Sequence, residues 1–64
     1  MRYPFRWTVT ARQGARYINV CTRTRRGARK RAREFAAQGY EADIMRYWRG
    51  RFGPWVEYVA AEVG

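Results

Sequence analysis

Histidine is missing from this chain, and cysteine occurs once, as Cys21. Together these absences remove an intramolecular disulfide, the usual zinc-ligand spacings and the commonest general base of enzyme chemistry. Acidic residues are scarce as well, five against fourteen Lys and Arg, which leaves a formal charge of +9 and a pI near 11.1. No apolar run approaches the roughly 20 residues of a membrane helix, and Met1-Arg2-Tyr3-Pro4 leads into no apolar segment of the secretory kind. The expectation is a non-enzymatic protein of reducing, cytoplasmic surroundings, with no metal, no cofactor and no membrane insertion.

Positive charge and aromatic rings are abundant instead. Three Trp, five Tyr and three Phe among 64 residues can bury apolar area efficiently, so residues 1–64 are expected to form one small domain. Charge of one sign raises the local concentration of polyanions and speeds encounter with them; solubility is the plainer use of the same charge. Arginine outnumbers lysine thirteen to one. The planar guanidinium fork suits phosphate, and a GC-rich genome choosing Arg codons produces the same bias.

Hydrophobic periodicity lays out the elements. Phe5, Trp7, Val9 and Ala11 alternate with Arg6, Thr8, Thr10 and Arg12, which predicts a strand with one buried and one wet face. Gln13-Gly14 supplies a turn, and 16–21 resumes the alternation, with Ile18 and Val20 on one face and Tyr17, Asn19 and Cys21 on the other. Thr22 or Thr24 can cap a helix over 25–38, ended by Gly39 in the left-handed conformation. Tyr40, Ala42 and Ile44 alternate with Glu41, Asp43 and Met45 in a third strand that can extend to Trp48. Residues 49–54 read as a loop on their Gly and Pro content, and 55–61 as a fourth strand. The fold class is therefore α+β in ββαββ order: a four-stranded, mainly antiparallel sheet with one helix on one face. Strand order stays open, and the exposed edges or the uncovered face leave room for a homodimer.

The most informative segment is 23–33, which holds seven cations: Arg23, Arg25, Arg26, Arg29, Lys30, Arg31 and Arg33. Helical geometry gathers Ala28, Ala32, Phe35 and Ala36 into an apolar stripe. It sets Arg26, Arg29, Lys30 and Arg33 opposite, with Arg25 and Arg31 at the flanks and Glu34 the only acid. Like charges at these spacings cost a few tenths of a kcal/mol per pair, and cations in the first turn oppose the helix dipole. A phosphate backbone of DNA or RNA would put that charge to use; a solvated face is the alternative. The helix entrance, Thr22-Arg23-Thr24-Arg25-Arg26-Gly27, offers a second phosphate site or simply a capped helix, and it is not a Walker motif.

A third candidate is 46–55, where Arg46, Arg49 and Arg51 alternate with Tyr47, Trp48, Phe52 and Trp55. Exposed rings stack on unpaired bases for about 1–3 kcal/mol each while cations hold the backbone. The same rings could form core, and Trp with Arg also anchors protein interfaces. Glu41 and Asp43 read as surface charges and Cys21 as a packing residue, so no active site is assigned. Polybasic segments are drawn to anionic lipid, but a stripe of Phe35 and alanines lacks the large residues of an inserting helix. The leading expectation is a small nucleic-acid-binding module using the Arg-rich helix face; the alternative is a modulator docking on an acidic surface of a host protein.

Two resemblances accompany this reading. A strand hairpin followed by Thr24-Arg25-Arg26 and Ala28 through Phe35 resembles the arm-binding domains of tyrosine recombinases, sheet-plus-helix modules whose likeness implies DNA binding. Residues 32–59, with Gly39-Tyr40-Glu41-Ala42 turning into a strand, are similar to half of a SPOR domain, which implies a glycan-binding fold of the cell envelope. Neither resemblance assigns a family, and the Arg-rich character is compatible with a phage or mobile-element protein.

Overall fold

A computed structural model describes residues 6–48 and 50–62, and for Trp48, Phe52, Pro54 and Trp55 the strand path alone. The elements follow in the order β1 (Trp7–Gln13), β2 (Arg16–Thr22), α1 (Arg25–Ala37), β3 (Glu41–Trp48) and β4 (Arg51–Val59). All strand pairings are antiparallel, and the sheet order is β2-β1-β3-β4. The expected α+β architecture is thus present. The helix connects the two hairpins so that β1 and β3 become the central pair and β2 and β4 the edges.

The turns follow backbone chemistry. Gly14, at φ +59°, opens the two-residue turn between β1 and β2, where a primed turn matches the twist of the strands. Thr24 caps α1 by accepting a hydrogen bond from the Gly27 N–H at 3.0 Å, which settles the choice between Thr22 and Thr24. Ala37 is the last helical residue, one short of the expected end. Gly39 follows at φ +90°, its N–H bonded to the Ala36 carbonyl.

Val9, Ala11, Ala42 and Ile44 of the central strands meet Ala28, Ala32 and Phe35 of α1, with Tyr40 closing one end. Alanines at the contact let helix and sheet approach closely, so Ile44 and Val9 are among the largest side chains to vanish from solvent entirely. Phe35 and Tyr40 pack as a tilted aromatic pair with centroids 5.8 Å apart. Trp7, Ile18, Val20 and Val59 flank this core, half-buried.

Two expectations require correction. The alternation puts Thr8 and Thr10 on a wet face, yet they are 0% and 4% exposed. Among the described residues no second layer covers their face, but as residues of a central strand they are hemmed in by Cys21 and Met45 and by Asn19 and Asp43. Thr10 donates a hydrogen bond to Asn19 Oδ1, and Thr8 Oγ1 lies 3.9 Å from Cys21 Sγ. The second correction is the expected loop at 49–54. Strand pairing resumes at Arg51, directly after Gly50, which stands at φ +78°. Gly53 and Pro54 lie inside β4, an edge strand whose outward N–H positions tolerate proline. Two register shifts against β3 take up the irregularity. A Cβ on Gly53 would stand 3.0 Å from the Arg46 carbonyl oxygen, so the approach of the two backbones there favours glycine.

Candidate nucleic-acid interface

The outer surface of α1 is assembled by the apolar stripe that anchors the other side. Burial of Ala28, Ala32, Phe35 and Ala36 turns Arg26, Lys30 and Arg33 to solvent, and all three are exposed. Among the described residues none of these three has a carboxylate partner. Together with Thr24, Arg25, Arg29 and the single acid Glu34 they line a shallow open hollow along the helix. No acidic residue occupies the first turn, so the positive end of the helix dipole adds to the same field.

Arg29 departs from the expected arrangement. It does not lie opposite the apolar stripe: it leans toward β4, where its Nε lies 3.6 Å from Glu57 Oε1. Arg25 Nη2 reaches the same oxygen at 3.6 Å. Glu57 pairs in register with Ile44 and so shares the covered side of the sheet, beneath the helix edge. It is the carboxylate that sequence reasoning missed. Its contact partners are about thirty residues away, and no local pattern marks it.

Arg31 is paired to Glu34 at 3.5 Å and stacks over Phe35, its Cζ 5.4 Å from the ring centroid. Arg23 is exposed just before the helix. The seven cations of the basic run thus divide into an outward set (Arg26, Lys30, Arg33), a set tied to carboxylates (Arg25, Arg29, Arg31) and Arg23 at the entrance. The hydroxyls of that entrance are in use, Thr24 as the cap and Thr22 donating to the Thr24 carbonyl at 2.9 Å.

Trp7 joins two patches that the sequence kept apart. Arg25 and Arg46 bring their Cζ atoms to 5.9 and 6.0 Å from its ring centroid. Because Arg46 pairs with Trp7 across β1 and β3, it stands on the helix side of the sheet near the start of α1. Arg51 is exposed at the start of β4, and Tyr47 is half-buried. Arg49 and the side chains of Trp48, Phe52 and Trp55 lie outside the described residues, and the proposed stacking roles of those three lie there with them.

Two further carboxylates lie away from the helix. Glu41 and Asp43 sit on the uncovered sheet face, where Arg12 donates from Nη1 to Asp43 Oδ2 at 2.5 Å and approaches Glu41 at 3.6 Å. The Asp43 hydrogen bond is the main reason the Arg12 guanidinium holds its proton above its ordinary range. Among the described residues no three His, Cys, Asp or Glu side chains gather as a metal site, and no helix is long and apolar enough to cross a membrane. No protein-family model, curated protein or solved structure matches the chain.

Proposed function

We propose that the protein is a non-enzymatic nucleic-acid-binding module that holds a phosphate backbone against the outer face of α1. The observation carrying this reading is the exposed triad Arg26, Lys30 and Arg33, which has no carboxylate partner among the described residues while Arg25, Arg29 and Arg31 each have one. A thirteen-residue helix is about 20 Å long, enough to follow several phosphates. The contacts are with backbone and carry no base readout of their own. Arg23 at the helix entrance and Arg46 beside Trp7 extend the same positive surface.

Titration of fluorescent DNA and RNA oligonucleotides across a salt series tests the proposal. Neutralising about three phosphates predicts a log–log slope near −2.7 on duplex DNA, and a slope near −2.1 on single strands. Replacing Arg26, Lys30 and Arg33 together by Ala should remove most of that slope while the circular dichroism spectrum stays that of the parent. Absence of binding to either nucleic acid at low salt, or an unchanged slope in the triple variant, would overturn the reading.

A further inference from the structure

The two edges of the sheet are built differently. β4 carries a glycine, a proline and two register shifts, features that discourage another strand from pairing. β2 has none of these. It pairs with β1 through seven consecutive residues without a bulge, and its central stretch Tyr17-Ile18-Asn19-Val20-Cys21 has no charge, proline or glycine. Among the described residues only β1 lies beside it. Gln13 and Arg16 flank a two-residue turn and therefore exchange hydrogen bonds. Alternation from that pair turns the N–H and C=O of Tyr17, Asn19 and Cys21 toward the open edge.

We infer that β2 is a dimerisation edge that pairs antiparallel with β2 of a second copy, about a two-fold axis at Asn19. The argument for a second copy is self-complementarity. Centring the axis on Asn19 sets Asn19 opposite Asn19 of the other copy, Tyr17 opposite Cys21 and Ile18 opposite Val20. Arg16 then faces Thr22 and Arg23 faces Ala15, so no cation opposes a cation despite the charge of +9 on each chain. The outward backbone groups of Tyr17, Asn19 and Cys21 fall in register to exchange hydrogen bonds with their counterparts. Ile18 and Val20, only half-buried at the core margin, gain an apolar neighbour on the helix side. The uncovered sheet face is a poorer candidate, because Thr8, Thr10 and the Arg12 ion pairs occupy its centre. A contact limited to strand pairing is small, so the dimer is of the weak, concentration-dependent class.

Sedimentation of nuclease-treated, nucleic-acid-free protein across a concentration series provides the test, and its result is independent of whether the helix binds phosphate. The parent chain should move from 7.7 kDa toward twice that mass as concentration rises. Asn19→Pro removes an outward N–H without touching the β1 ladder, and Asn19→Lys sets two cations face to face. Both should remain near the monomer mass with parental circular dichroism. As a check that does not depend on those variants folding, Asn19→Cys combined with Cys21→Ser should cross-link under oxidant. Opposed residues in such a pair have Cα atoms about 5.5 Å apart, within disulfide reach. The parent Cys21, opposite Tyr17, should not cross-link. A parent chain that stays monomeric at high micromolar concentration, a dimer mass unaltered in both variants, or cross-linking through Cys21 and not position 19 would overturn the proposal.

Discussion

Ile44 is the largest fully buried side chain among the described residues: it lies between α1 and the centre of the sheet, in a core otherwise rich in alanine. Small neighbours cannot close over a void, so Ile44→Ala should destabilise the domain by about 2–5 kcal/mol. In a chain this short that approaches total stability, and urea melts should show a partly unfolded baseline or a strongly reduced midpoint. The burial of Ile44 was legible from its alternation with Asp43 and Met45. The burial of Thr8 and Thr10 was not, because it follows from β1 lying between two neighbours, a long-range fact that a period of two cannot carry. Arg12 shows the same limit, since its carboxylates come from β3. As Asp43 raises the folded-state proton affinity of Arg12, that pairing contributes fully from neutral pH up to the ordinary arginine range and, on the alkaline side, is lost as pH climbs through the raised value. A stability profile from neutral to moderately alkaline pH should show no step attributable to Arg12.

At the scale of the element, α1 is stabilised by its cap and apolar stripe and opposed by its own charge. Arg26 and Lys30 are four residues apart, Lys30 and Arg33 three, and Arg26 stands in the first turn against the dipole. Replacing all three by Ala relieves repulsion worth a few tenths of a kcal/mol per pair and adds helix propensity. At low ionic strength the triple variant should therefore melt at or slightly above the parent temperature, even as phosphate binding is lost; a clear drop in melting temperature would mean that these cations have a packing role. The helix was readable because cap, stripe and terminal glycine agree along a contiguous stretch. β4 was misread because Gly53 and Pro54 mark a loop in most settings, whereas an edge strand with bulges accommodates both. The division of the arginines was readable in part: a strict 100° per residue already sets Arg29 at the edge of the apolar stripe, beside Ala36 and not opposite it, but its partner Glu57 beneath the helix edge is a long-range contact.

The whole molecule sets its basic run apart: seven cations in and just before the helix, with Glu34 and Glu57 among them, stand above one sheet face, and the Arg12, Glu41 and Asp43 cluster lies on the other. This separation gives the two proposals a joint consequence. α1 packs chiefly over β1 and β3, so pairing through β2 would set the two helices on the same side of a continuous eight-stranded sheet. Four strand spacings would separate their axes, about 19 Å. A duplex long enough to reach both helices would meet two outward triads, about six phosphate contacts in place of three, and the expected salt slope would approach −5.4. Asn19→Pro leaves each helix intact, so it should bind a short duplex as the parent does but return the long-duplex slope to near −2.7. Measuring both lengths separates the alternatives. Equal slopes for parent and variant on the long duplex would show that the helices do not act together, whereas equal loss on both lengths would place the effect of residue 19 in the fold of the monomer.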